Sequence, residues 1–300
     1  MKLNHLLFLL GIVFWSCQGT ETYDSKRLQI KTFTTSKFIA EKTYRVYLPK
    51  SYSENTEKNY PVLYMMDGQN LFSDKLSYSK VAWNIHETVD SLSKAETIKE
   101  VIVVGIDHEG VDRFSEYMPQ KPMSKVSQDA KDSLITFFKK PVYADDFLSF
   151  LIKEFKPFID ANYRTKLTVE DTFIGGSSMG GLISMYAQCE YPQIFGGALC
   201  FSTHWPIGMN DDTPEFPTQL IDYFSKNIPQ DKKWYFDFGT EGLDKIYEPY
   251  QNQIDSILQQ NNYVADKNWM TRKYVGHSHN EKYWNERMHI PLKFILGKKQ

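Results

Sequence analysis

Between Lys42 and Tyr274 the chain switches repeatedly between two apolar patterns. Val62–Met66 and Val101–Ile106 are continuous apolar runs of strand length, the mark of strands covered on both faces. Lys42–Leu48 alternates apolar and polar positions, like a half-buried strand stopped by Pro49. Thr172–Gly175, Gly197–Phe201, Trp234–Phe238 and Trp269–Tyr274 complete the predicted strands, and Leu28–Thr34 is placed as an antiparallel edge. Between them, apolar residues recur at helical spacing near Val81–Ser93, Ala144–Ile159, Leu182–Glu190, Pro217–Lys226 and Tyr247–Gln260. Strands alternating with helices of this size predict an α/β class with a mainly parallel central sheet and helices on both faces.

One stretch breaks the rhythm. Pro119–Val142 is polar, rich in lysine and without a clear period. It reads as a long loop leaving the end of the Val101–Ile106 strand, on the rim where ligands bind in open α/β sheets, and is a candidate lid. No internal repeat or low-complexity linker divides the chain, so residues 28–300 are expected to form a single domain.

Composition narrows the function classes. Of 300 residues, 24% are charged and 41% hydrophobic, with a formal net charge of −2. No Lys/Arg run is long enough to track phosphates, which excludes nucleic acid as an expected partner. No Cys/His cluster suggests a metal, and no cofactor motif is present. Asp107-His108-Glu109 lacks a further ligand at suitable spacing. Cys189 and Cys200 read as buried thiols on adjacent core elements.

The N-terminus reads as an address. Lys2 is followed by an apolar stretch, Leu6 to Trp15, too short to span a bilayer permanently, and then by Ser16-Cys17. Residues 1–17 resemble a bacterial lipoprotein signal in which Cys17 becomes the lipidated first residue, with 18–27 as a tether. The expectation is an exported cell-envelope lipoprotein, periplasmic or outer-membrane associated and held to the membrane by that lipid; plain secretion is the alternative.

The chemistry is announced by Gly176-Ser177-Ser178-Met179-Gly180, which fits G-x-S-x-G between a strand and a helix. This pattern exposes a nucleophilic serine on a turn so tight that bulky residues at Gly176 or Gly180 would clash. A serine hydroxyl needs a base. Gly276-His277-Ser278-His279-Asn280-Glu281 follows the last predicted strand, and His279, directly before a helix, is preferred to His277. The orienting acid should come from the segment Phe236–Asp244. Asp237 lies within the strand, while Glu241 and Asp244 lie in the loop after it; Asp244 is preferred, with Glu241 as the alternative. For the oxyanion, one donor is the Met179 N–H. The other comes from Met66-Asp67-Gly68-Gln69-Asn70, where Gly68 closes the loop and the Gln69 N–H is expected to face the site. His204 and Trp205, after the Gly197–Phe201 strand, are expected to line the substrate pocket with Gly68, whereas Trp83 and Trp284 read as packing residues.

Tyr60–Phe72, the elbow Gly175–Gly181 and the Gly276–Glu281 loop resemble the Putative esterase family of α/β-hydrolases, as do Arg113–Pro119 and Asp146–Tyr163. That group includes S-formylglutathione hydrolases, feruloyl and acetyl-xylan esterases, antigen 85 and enterochelin-type siderophore esterases. The resemblance spans about residues 40–297 and implies an esterase using Ser178, His279, an acid near 241–244 and an oxyanion donor at Gln69. The chain departs from it twice. Where many relatives place the acid three residues beyond the loop glycine, this chain has Gly242, and Pro119–Val142 lacks a glycine-rich run common in relatives. The expected substrate is a small or polysaccharide-linked ester, with a siderophore lactone as the alternative. The rival from another class is a binding lipoprotein that keeps the fold without turnover.

Overall fold

The computed structural model describes residues 26–108, 110–134, 141–206 and 215–298. The targeting segment with Cys17, most of the tether, and Glu109 lie outside them.

Among the described residues, eight strands form one sheet: β1 (Leu28–Phe33), β2 (Lys42–Tyr47), β3 (Val62–Met66), β4 (Ile102–Ile106), β5 (Thr172–Ser177), β6 (Gly197–Phe201), β7 (Lys233–Gly239) and β8 (Trp269–Tyr274). Their order is β1-β2-β4-β3-β5-β6-β7-β8. β1 and β2 pair antiparallel, and β2 is antiparallel to β4; every other pairing is parallel. β5, which feeds the G-x-S-x-G turn, sits inside the sheet between β3 and β6.

The helices are α1 (Ile85–Lys94), α2 (Arg113–Tyr117), α3 (Gln120–Ser124), α4 (Gln128–Leu134), α5 (Ala144–Phe150), α6 (Lys156–Asn162), α7 (Met179–Glu190), α8 (Glu215–Asn227), α9 (Glu248–Gln260), α10 (Glu281–Arg287) and α11 (His289–Leu296). Strand side chains alternate between two cores. Val62, Tyr64 and Met66 face one that also holds side chains of α5 to α9. Leu63 and Met65 face the other, with α1, α10 and α11. Burying each such aliphatic side chain contributes about 1.5–3 kcal/mol, which is why all-apolar β3 and β4 form the centre. Residues 179–189 of α7 are buried on every side, so this helix carries no polar face. Cys189 and Cys200 are free and buried, and burial raises both thiol pKa values well above the ordinary range.

Three elements differ from expectation. The helix predicted from Val81 starts at Ile85, because Asn84 adopts a left-handed conformation (φ 49°) and Ala82 N–H and Trp83 N–H donate back to Asp74 and Asn70. The helix predicted over 144–159 is interrupted by a wide turn at Leu151–Phe155. Pro157, just beyond, has no N–H to give the preceding turn, which accounts for the widening. The segment expected to be a loop, Pro119–Val142, contains α3 and α4 in its described part; Met123 and Val126 are buried there, so α3 and the turn after it pack against the body.

Candidate active site

Ser178 is the turn between β5 and α7, with φ 58° and ψ −123°. A residue with a Cβ adopts this conformation at a cost of about 1–3 kcal/mol. The turn is pinned on both sides: Ser178 N–H donates to Phe201 O at 2.9 Å, and its carbonyl accepts from Leu182 N–H at 3.0 Å. A Cβ on Gly176 would lie 2.8 Å from the Gly180 carbonyl carbon and 2.9 Å from Met66 Cβ, so the strand and helix meet only through glycine.

His279 Nδ1 lies 2.5 Å from Asp244 Oδ1. A proton on Nδ1 shared with this carboxylate leaves Nε2 as the basic nitrogen. Asp244 Oδ2 accepts from Ser202 Oγ–H and from Gly239 N–H, both at 2.6 Å. Burial alone would raise the Asp244 pKa, but the His279 contact and these two donors outweigh it and hold it below the ordinary value of 3.8. Gly242 carries φ 60°, a conformation glycine adopts freely, and it turns the loop so that Asp244, two residues later, faces inward.

Behind the acid lies a second buried pair. Arg287 Nη2 donates to Asp237 Oδ1 and to Ser202 Oγ, each at 2.8 Å. Trp284 Nε1 donates to the same hydroxyl at 3.0 Å, and its ring meets His279 edge-on at 5.0 Å. Burial raises the Asp237 pKa, opposed by Arg287 and the Tyr235 hydroxyl.

Ser178 and His279 line the same cavity of about 540 Å³. Its other walls include Asp67 and Arg113, which form a bidentate pair (2.8 and 2.6 Å). Burial disfavours the Arg113 charge, but Asp67 more than compensates and raises its pKa. Arg113 Nη2 also reaches Ser177 O at 3.3 Å, tying α2 to the strand end before the serine. Tyr78 and Val111, both largely exposed, stand on this cavity's wall.

Met179 opens α7 and Gln69 sits second in the turn Gly68–Asn70, so neither N–H has an acceptor within its own helix. The Gln69 side chain accepts from His108 N–H at 3.4 Å.

The other expected site residues fall elsewhere. His277 stacks between Tyr274 and Tyr283 (5.3 and 4.6 Å), while its carbonyl accepts from Thr240 and Glu241 N–H. Glu241 is exposed and precedes the turn that carries Asp244. Gly68 packs on the Gly105–Ile106 backbone; its neighbours Asp67 and Asn70 line the cavity instead. His204 is buried against Tyr247, with Nδ1 2.8 Å from the hydroxyl, and Trp205 packs on Phe236, so neither lines the cavity. The bend lies at Ser202, whose φ of 40° departs from the extended strand, and the residues after it, Thr203 to Trp205, are buried. None of the described residues of Pro119–Val142 lines the cavity; its flank includes His108, Gly110, Val111, Arg113 and Phe114. Asp107 is paired with Arg45 (2.7 Å), and among the described residues no cluster could hold a metal. Arg113, Glu281, Trp284 and Ser202 were missed from sequence, although Arg113 lies in a segment that resembles the family.

Residues 36–293 match the family model described as Putative esterase. The chain belongs to that family. It is an ester hydrolase with an α/β-hydrolase fold. It is similar to an uncharacterized Bacillus subtilis (strain 168) protein, YbbA, with 24% identity over 85% of this chain and 92% of that one. Among solved structures, a ferulic acid esterase superposes with TM-score 0.65 at 17% identity, covering 90% of this chain and 98% of its own. The siderophore hydrolase EstA from Aspergillus nidulans gives 0.67 at 16% identity, over 94% and 99% of the two chains.

Proposed function

We propose that the esterase works through Ser178, His279 and Asp244. His279 Nε2 takes the Ser178 hydroxyl proton as Oγ bonds to the ester carbonyl carbon. Met179 and Gln69 N–H groups bind the oxyanion, a term worth on the order of 10²–10³ in rate per donor. Collapse breaks the bond to the alcohol, which leaves with the proton from His279. Water, deprotonated by the same nitrogen, then releases the acid and restores the serine. No cofactor enters the scheme. The observation that carries this reading is the Asp244–His279 contact beside a strained serine on one cavity.

The substrate class that fits is a small or polysaccharide-linked ester, supported by likeness to a ferulic acid esterase and by a cavity whose wall includes exposed Tyr78 and Val111. A siderophore lactone is the second reading, favoured by the EstA likeness. The Leu6–Cys17 pattern supports export and lipid anchoring at Cys17. Hydrolysis of p-nitrophenyl acetate and methyl ferulate by the protein and by Ser178→Ala tests the mechanism. An unchanged rate in Ser178→Ala overturns it. Labelling by a fluorophosphonate probe is expected at Ser178; an unlabelled protein would favour a non-catalytic binding lipoprotein.

A further inference from the structure

The charges around the cavity do not cancel. Asp67 and Arg113 neutralise each other through two hydrogen bonds. Burial lowers the His108 pKa, so that imidazole is neutral at neutral pH. Glu281 remains. Its Oε1 accepts from Asn70 Nδ2 at 3.2 Å, and among the described residues it has no ion pair and Oε2 accepts no hydrogen bond. Glu281 is only 5% exposed and lines the cavity. The Arg113 guanidinium feels this carboxylate, but its hydrogen bonds go to Asp67 and Ser177. Among the described residues, the cavity wall therefore carries one negative charge without an ion-pair partner, at a fixed place.

Aromatic surface accompanies it. Trp284 is three residues along α10 from Glu281, hence on the same face of the helix, and also lines the cavity. Asn70, which holds Glu281 by its amide, accepts the Tyr78 N–H on its carbonyl oxygen at 3.0 Å, so the Tyr78 loop is tied to the same wall. A carboxylate with an oxygen left over, on a cavity wall shared with Trp284 and Tyr78, is suited to a cation. Glu281 is also two residues beyond His279, the group that returns the proton to the leaving alcohol in the scheme above.

We propose that Glu281 selects esters whose alcohol carries a protonated amine, such as O-esters of amino alcohols or amino sugars, by accepting an N–H hydrogen bond on Oε2. The inference rests on the esterase reading and adds the substrate's charge to it. A hydrogen bond to a charged group, lost with one partner, corresponds to about ten- to a hundredfold in affinity.

Two isosteric esters test it: 2-(dimethylamino)ethyl acetate, protonated at neutral pH, and neutral 3-methylbutyl acetate. The protein is expected to prefer the cation at least about tenfold in kcat/KM, and Glu281→Gln, which keeps an oxygen for Asn70, should bring the ratio close to one. A ratio that Glu281→Gln does not change, or a preference for the neutral ester, overturns the proposal. Binding of the same two esters to Ser178→Ala and to Ser178→Ala/Glu281→Gln, measured by calorimetry, reads the site without turnover. Tighter binding of the cation that Glu281→Gln abolishes supports the cation site even if the catalytic scheme fails. Equal binding of the two esters to Ser178→Ala sinks the cation site even if the esterase scheme stands.

Discussion

The Ser202 hydroxyl donates to Asp244 Oδ2 at 2.6 Å, so the carboxylate that meets His279 is itself aimed by a serine outside the proposed triad. That hydroxyl is saturated: it gives its one proton to Asp244 and accepts from Trp284 Nε1 and Arg287 Nη2. Removing it leaves the buried Trp284 Nε1–H without its partner and takes one hydrogen bond each from Asp244 Oδ2 and Arg287 Nη2, which keep Gly239 N–H and Asp237.

Ser202→Ala is therefore expected to cost about 1–3 kcal/mol of stability per donor left unsatisfied, read as a shifted urea midpoint. It should also lower kcat more than it raises KM, because the loss falls on the aim of the imidazole. A variant with wild-type stability and kcat would make the hydroxyl a bystander.

Asp244→Asn keeps the shape but offers His279 an amide in place of a carboxylate. In serine hydrolases the equivalent change costs on the order of 10⁴ in kcat by favouring the wrong tautomer, and a fall of that order is expected here. Glu241→Gln should leave kcat near wild type, since Glu241 is exposed and only its backbone is engaged with the histidine loop. A large fall in Glu241→Gln with a small one in Asp244→Asn would reverse the assignment.

The acid side of the stability profile carries the same carboxylate. The folded-state pKa of Asp244 is depressed, so it contributes stability above its ordinary value of 3.8, lost as pH falls through the lower folded value. Asp237 has the opposite sign, because burial raises its pKa; repulsion from Asp244 adds a smaller part of that rise, which Asp244→Asn removes. Thermal melts across the acid range should show wild type losing its advantage over Asp244→Asn below about pH 4. An advantage constant with pH would contradict the linkage.

Strain at the nucleophile gives a comparison that ordinary helix energetics would reverse. Ala normally exceeds Gly by about 1 kcal/mol in helices, yet at φ 58° and ψ −123° only Gly is unstrained. Ser178→Gly should melt above Ser178→Ala, both inactive. The reverse order would mean that the turn relaxes when the serine is lost.

The local features were legible in sequence because their signals are local. Apolar runs of five and six residues, Val62–Met66 and Val101–Ile106, marked β3 and β4, and the glycines around Ser178 marked the turn. Asp244 and His279 came from loops adjacent to predicted strands, which is a matter of position alone. What stayed hidden depends on distance along the chain or on a single dihedral. Trp284 and Arg287 reach Ser202 across 82 and 85 residues, and no spacing rule carries that. His204 and Trp205 were expected on the rim because β6 was extended straight; the chain bends at Ser202, and both are buried. Pro157 did carry a visible signal against an unbroken helix over 144–159. The short helices in 119–142 are below the length at which a period can be read.

The order of the strands has a consequence for how the chain comes alive. Ser178 follows a strand at the middle of the sheet, but Asp244 follows β7, His279 follows β8, and Arg287 lies later still. A chain emerging from its N-terminus can shape the serine turn long before it has a base to activate it. The sheet's last edge, and α11 closing back onto Lys99 through Leu296 O at 2.9 Å, complete the device only when nearly the whole chain is present. In the proposed scheme Ser178 therefore gains its base only once β8 and the loop after it are in place.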